Sequence, residues 1–362
     1  MVYTSITEGS REPNLIFQDF RKYALNEIAE NEANKLRESQ TEQKGFSALV
    51  DRPVLKTDVS AFRQANELLK QGEFITYCVK LINDYHAGDS ELAALLMRST
   101  LRVGFSSTSA LLHYSASGKS GGGKSDLLGA IAALLPTSRC IMFTSVTPQG
   151  LFSATQVEQG GRQVVNPLKF SGKVVIINEL NDAKAWNSLK AYGEMSEFSK
   201  EIHLTTSGSS TSKELTLQGA RCVLCASVNP VKDDQVRRRF IPICIQKETD
   251  WLKAKKATLA SANELAERSI ENDDRTKTAR AGFELLLNVK DQWHETSDEV
   301  KARIEELSLF FSSNDLSISR IKQFVTLCQV WAVEKRFERG FLGITLDDVE
   351  ESLKCYKWLF EL

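Results

Sequence analysis

The chain has 362 residues, too many for a single small core and enough for one sizeable domain with smaller helical regions on either side. Lys plus Arg (46) nearly cancel Asp plus Glu (47), and 42% of the residues are hydrophobic, the profile of an ordinary folded protein without an overall basic field. That balance excludes a histone-like polycation and leaves nucleic-acid contacts to local clusters of charge.

Seven cysteines scattered through apolar runs read as reduced, buried thiols. Cys222 and Cys225 have the spacing of zinc ligands, but no second pair accompanies them, and residues three apart on a strand point to opposite faces. Both are expected in the core. The opening MVYTSITEGSREPNLIF lacks a basic segment followed by an apolar one, and no run approaches the ~20 apolar residues of a membrane span, so a cytoplasmic location is expected.

In chain order, residues 1–52 read as a polar helical arm and linker, because Phe17 to Gln43 is rich in Glu, Asn and Gln with only a thin apolar stripe. Over 53–107 apolar residues recur at helical spacing, with Gly72 and Gly88 as breaks, which predicts a helical N-terminal subdomain. Over 108–246 the pattern changes to short β-prone runs: ALLHYSA, CIMFTSV, KVVIINEL, RCVLCASV and FIPICIQ. Runs apolar on both faces and separated by helical stretches predict an α/β core, a five-stranded parallel sheet with helices on both faces. Residues 247–362 are helical again and read as a C-terminal lid, whose last helix opens on Thr345 as a hydroxyl cap with Asp347 and Asp348 in its first turn.

Glycine and lysine concentrate between the first apolar run and the helix that follows it. Gly118, four further residues and then Gly123-Lys124-Ser125 match the phosphate-loop pattern G-x-x-x-x-G-K-[ST], in the strand-before, helix-after context that the pattern requires. Gly118, Gly121, Gly122 and Gly123 let successive amides turn inward toward phosphates. The start of the helix, with Ser125 and Asp126, adds its positive dipole end; Lys124 reaches the β and γ oxygens, and the Ser125 hydroxyl is placed for Mg²⁺. The expected ligands are ATP and Mg²⁺.

VVIINEL ends in Asn178 and Glu179. A carboxylate at the end of this strand polarises an attacking water, the role assigned to Glu179. Asn178 stands where nucleotide hydrolases of this pattern usually carry aspartate; its amide oxygen can orient a metal-bound water but lacks the charge that tightens Mg²⁺. RCVLCASVNP ends in Asn229, an amide at a strand's carboxyl end that can hold the water or the γ-phosphate.

The order GKSGGGKS, VVIINE, SVNP, RRRF and helical lid resembles the AAA+ ATPases, from roughly Asp89 to the C-terminus. Two segments narrow the resemblance. EFSKEIHLTTSGSSTSKELTLQGA alternates apolar and polar residues around a Ser/Gly turn, a β-hairpin similar to the pre-sensor hairpin of minichromosome-maintenance helicases and their relatives in phages, plasmids and mobile elements. ATQVEQGGRQVVNP reads as a second hairpin turning at Gly160-Gly161. In that family such hairpins enter the central pore of a hexamer and contact DNA, so Lys213 beside the first tip, Ser209, Ser210, Thr211, and Arg162 near the second tip are the matching DNA-binding residues. Arg239, with Arg238 next, matches the arginine that ring ATPases present to a neighbouring subunit's nucleotide. Arg320 matches the family's second sensor at the start of a lid helix. The zinc-binding domain of the cellular helicases has no counterpart.

The resemblance implies a ring-forming, Mg²⁺-dependent ATPase that translocates on DNA, a replicative helicase of a mobile element or virus. Two alternatives stay open: a protein-remodelling AAA+ ATPase, which the near-zero net charge permits, and a nucleotide-dependent assembly switch with weak hydrolysis, which Asn178 permits.

Overall fold

The structure is a computed structural model that describes residues 56–362 apart from 87, 106–109, 119–120, 147–155, 160–161, 166–169, 171, 181–185, 187–188, 190–196, 207–208, 219–220, 230, 232, 246–269, 271–272, 290–292, 314–317 and 361–362. The polar arm expected over 1–52 and the first part of the expected lid, 247–269, lie outside the described residues.

Among the described residues three helices precede the sheet: α1 (Lys56–Lys70), α2 (Phe74–Asn83) and α3 (Ser90–Thr100). Gly72 ends α1 with a left-handed φ of 70°, its N–H donating to the Leu69 carbonyl (3.2 Å) and that of Glu73 to the Leu68 carbonyl (2.9 Å). This paired closure needs a residue without a Cβ penalty at positive φ, which is why the helix stops where the sequence places glycine. Gly88, at φ 99°, separates α2 from α3.

The central segment runs β1 (Leu112–Ser117), α4 (Lys124–Leu134), β2 (Cys140–Ser145), β3 (Gln156–Gln159), β4 (Arg162–Val165) and β5 (Val174–Glu179). It continues through β6 (Glu197–Thr206), β7 (Ser209–Gln218), β8 (Cys222–Ser227), α5 (Asp234–Arg239) and β9 (Phe240–Cys244). Five of these strands form one sheet in the order β2-β5-β8-β1-β9, every pairing parallel, with one strand for each apolar run. The chain crosses from β1 to the far edge at β2, works back to β8, and finally adds β9 on the other side of β1. β1 is thus the point where the winding reverses, and a crevice opens at its carboxyl end.

Alternation along each strand divides the core between the two faces of the sheet. Leu112, Tyr114, Val174, Ile176, Leu224 and Ile241 pack on one side with Leu127, Leu128 and Ile131 of α4. Val175, Ile177, Val223 and Phe240 pack on the other, with Phe170, Trp186 and Val236. Cys222 joins the first cluster and Cys225 the second, and burial pushes both thiols far above their ordinary pKa, as expected for core cysteines rather than metal ligands.

Among the described residues four helices follow: α6 (Asp274–Leu287), α7 (Asp298–Ser313), α8 (Ile318–Arg339) and α9 (Leu346–Phe360). One apolar cluster joins Leu69, the α4 face of the sheet, Phe283, Phe324 and Tyr356, so the divisions expected at 107/108 and 246/247 do not separate independent cores. The start of α9 differs in detail from the expected hydroxyl cap. The fully buried Asp348 carboxylate accepts from the Thr345 N–H (3.0 Å) and hydroxyl (3.1 Å), and from Arg339 at 2.7 and 3.0 Å. Paired with Arg339, the carboxylate accepts hydrogen bonds from both the Thr345 hydroxyl and its backbone N–H, so the hydroxyl acts here as a donor. Among the described residues no helix is long and apolar enough to cross a membrane.

Candidate active site

The loop after β1 is built from backbone conformations that side chains resist: φ is 152° at Gly118, 77° at Gly121 and 78° at Gly123. A Cβ at Gly118 or Gly121 would meet nothing within 4 Å, so glycine is required there for conformation and not for space. Gly123 is the N-cap of α4 and supplies no side-chain acceptor; the Leu127 N–H donates to its carbonyl at 2.9 Å. The first-turn N–H groups and the helix dipole therefore favour an anion at this end of α4.

Lys124, the first residue of α4, is only 8% exposed, and its Nζ donates to the Gly118 carbonyl at 2.8 Å. Burial lowers its pKa from the ordinary lysine value, which makes an approaching phosphate a favourable partner for the ammonium. Gly121 to Asp126 form one wall of a cleft of about 360 Å³. Thr144, Asn178, Glu179 and Ser227 face them from the carboxyl ends of β2, β5 and β8. Parallel register carries the opposite wall to one level: Ser145 pairs with Glu179 and Ile177 with Cys225. Lys124 and Glu179, far apart in sequence, line the same cleft.

The Ser125 hydroxyl donates to the Asn178 backbone carbonyl at 3.4 Å, tying the start of α4 to the end of β5. Beside it the side-chain Oδ1 of Asn178 is buried without a hydrogen-bond partner among the described residues. A hydroxyl next to an unsatisfied amide oxygen is an oxygen-only donor set, which fits Mg²⁺ and its waters. Among the described residues no group of three or more His, Cys, Asp or Glu is assembled to hold a metal. An ion here would draw its remaining ligands from water and phosphate oxygens.

The remaining expected residues are distributed differently. Asn229 follows β8, is exposed, and accepts the Ser227 hydroxyl through its backbone carbonyl at 2.7 Å; Ala226, Ser227 and Val228 line the cleft before it. Arg238 is exposed on α5 and donates to Gln235 Oε1 at 3.0 Å. Arg239 is half-buried, its guanidinium folded back on the Gln235 carbonyl and side chain. Arg320 is buried away from the cleft. Its guanidinium donates to the carbonyls of Arg237 and Phe240 and, at 2.9 Å, to Gln323 Oε1, while Gln323 donates to the Arg239 carbonyl at 3.1 Å. Burial lowers the Arg320 pKa, and the guanidinium braces the α5–β9 junction where a second sensor was expected to reach phosphate.

The two expected hairpins are present as separate two-stranded antiparallel sheets. β6 and β7 are ten residues each, closed by the pair Thr206 and Ser209, so Ser209, Ser210 and Thr211 adjoin the turn. Lys213 sits four positions further along β7, opposite Ile202, and not beside the tip. Arg162 pairs with Gln159 at the closed end of β3–β4. The side chains of both hairpins, and the turn at 160–161, lie outside the described residues. Sequence reading missed Thr144 and Ser227; their signal was their place at the ends of apolar runs, the same signal that marked Asn178 and Glu179.

A family model described as MTBMA_p00010 P-loop domain matches residues 58–288, a span that holds the loop, Asn178, Glu179, both hairpins and α5. No curated protein matches the chain.

Proposed function

Because the chain belongs to the MTBMA_p00010 P-loop domain family, it is a nucleotide-binding NTPase, and from that premise we propose a ring-forming ATPase that translocates on DNA as a helicase. Lys124 and the first-turn amides of α4 take the phosphates. Glu179 accepts the proton of the water that attacks the γ-phosphorus, with Asn229 assisting in holding that water, and Lys124 stabilises the charge that develops on the transferred group. Ser125 and Asn178 would hold Mg²⁺, which would supply charge neutralisation for the phosphates. Arg238, exposed on α5, is presented to the nucleotide of the next subunit of a hexamer, with Arg239 held behind it on Gln235.

The observation that carries the DNA reading is the position of the β6–β7 hairpin. In chain order it falls between β5, which ends in Glu179, and β8, which also reaches the cleft, and β7 leads into β8 within a few residues. Ten residues of strand give a lever of about 33 Å. The hydroxyls of Ser209, Ser210 and Thr211 at its closed end suit phosphate oxygens of DNA, with the charge of Lys213 further back and Arg162 on the second hairpin.

The test is ATP hydrolysis with and without single-stranded DNA over a series of salt concentrations. Stimulation that weakens with salt and is lost in a Lys213→Ala, Arg162→Ala double variant is expected. Hydrolysis that is indifferent to DNA but stimulated by a protein partner would replace this reading with protein remodelling.

A further inference from the structure

The phosphate cleft sits at the amino end of α4, and the exposed Arg237 and Arg238 project from α5. The two helices pack on different faces of the sheet: Leu127, Leu128 and Ile131 of α4 belong to one apolar cluster and Val236 of α5 to the other. A series of polar side chains bonded to the carboxyl ends of helices nevertheless joins them.

Arg280 of α6, half-buried, donates from Nε to the Ala133 carbonyl at the far end of α4, 2.9 Å away. Arg336 of α8, only 5% exposed, donates to the Leu286 and Leu285 carbonyls at the end of α6, at 3.0 and 2.7 Å. Near the opposite end of α8, Arg320 donates to the Arg237 carbonyl and Gln323 to the Arg239 carbonyl, both at the end of α5. The last four carbonyls of a helix have no partner within it, so each bond meets a requirement that the receiving helix cannot meet alone. A guanidinium there also complements the negative end of the helix dipole. The series is continuous: α4 to α6, α6 to α8, α8 to α5. Arg320 and Arg336 lie about 24 Å apart along α8, so one rigid helix spans the distance between the two clamps.

α5 has six residues, too few to hold a helical conformation alone. Its amino end is capped by Asp233, whose side chain accepts from the Gln235 and Val236 N–H groups at 2.8 and 3.3 Å. Its carboxyl end is held by α8, which therefore sets the direction in which Arg237 and Arg238 point. α4 is a hydrogen-bonded rod of eleven residues, so phosphate drawn onto its first-turn N–H groups displaces or steadies the Ala133 carbonyl at the other end as well.

We propose that Arg280, Arg336 and the Arg320–Gln323 pair are positioning residues that tie the setting of α5 to the occupancy of the phosphate cleft, with α8 as the strut between them. None of the four lines the cleft, so they act on α5 and not on the nucleotide. The inference rests on the phosphate-cleft reading, which supplies the ligand that loads α4.

The experiment is amide hydrogen exchange on the full chain, with Mg²⁺ and with or without the non-hydrolysable imido analogue of ATP, in the parent and in Arg280→Met and Gln323→Leu variants. Binding of the analogue is measured on the same preparations. In the parent the analogue is expected to slow exchange in the first turn of α4 and, by about 5-fold or more, in α5, a factor at the low end of coupling between sites. Both variants are expected to keep the analogue's affinity and the protection of α4 while losing the response of α5. A purely structural role would lower protection in α5 equally with and without the analogue, and that result overturns the proposal. So does an α5 response that survives in both variants, or one that is absent from a parent whose α4 is protected; the phosphate cleft stands in each case. If the parent does not bind the analogue, the phosphate reading falls and this inference falls with it.

Discussion

Two buried cations occupy opposite situations. At the mouth of the phosphate cleft the Lys124 ammonium is bonded to the Gly118 carbonyl beside about 360 Å³ of open volume. At the α5–α8 junction the Arg320 guanidinium is bonded to the Arg237 and Phe240 carbonyls and to Gln323, with protein packed around it. A cation desolvated next to empty space is prepared for an incoming anion; one desolvated among carbonyls is a brace. The first arrangement stores affinity for phosphate. The second fixes the helix that carries the exposed arginines.

The largest effect expected from this contrast is at Lys124. Lys124→Ala should reduce hydrolysis by about 10²- to 10³-fold, the cost of removing one donor aimed at developing charge, with little change in thermal stability. Kinetics and a melting curve on the same preparation check it. The reverse profile is expected at Arg320. Arg320→Met leaves buried carbonyls without their donor, so denaturant unfolding should show about 1–3 kcal/mol of lost stability, with nucleotide affinity unchanged. A loss of nucleotide affinity without a loss of stability would return Arg320 to the role of a phosphate sensor.

pH sharpens the comparison from a third cation. Arg275 is half-exposed and paired with Asp273 (2.7 Å) and Asp84 (2.7 Å), a charge compensated by carboxylates and not by phosphate or carbonyls. The hydrogen bond from Arg275 holds the Asp273 carboxyl down at about 2. Because the folded value is depressed, the stabilisation is present above the ordinary aspartate value of about 3.9 and is lost as pH falls toward about 2. A small decline in stability across that window is expected, and it should vanish in Asp273→Asn. For Lys124 the depressed value works the other way: the ammonium is present at neutral pH and is lost on the alkaline side earlier than for an ordinary lysine, so affinity for phosphate should fall there first.

What the sequence disclosed follows the range of the interactions involved. The phosphate loop was legible because its requirements are local: positive φ at Gly118, Gly121 and Gly123, then a helix start at Lys124. The parallel sheet was legible because strands covered on both faces run apolar at successive positions, as β5 does over Val174–Ile177 and β8 over Cys222–Ala226. The hairpin stems were legible by alternation, but the place of Lys213 depended on which residues close the turn, and the pair Thr206 and Ser209 sets it. The contacts of Arg320 were not legible because its partners are backbone carbonyls about 80 positions earlier, and no pattern of side chains announces a carbonyl.

The account stands on a cleft in which Lys124 holds a nucleotide and Glu179 activates water against it. The most direct measurement is single-turnover hydrolysis of ATP by Glu179→Gln, with bound ATP quantified in the same sample. The cleft geometry predicts ATP retained at the parent's affinity and hydrolysis slowed by about 10²-fold or more, the contribution of a positioned general base. Hydrolysis at the parent's rate would contradict it and leave the cleft as a nucleotide-dependent switch without a catalytic base at the end of β5.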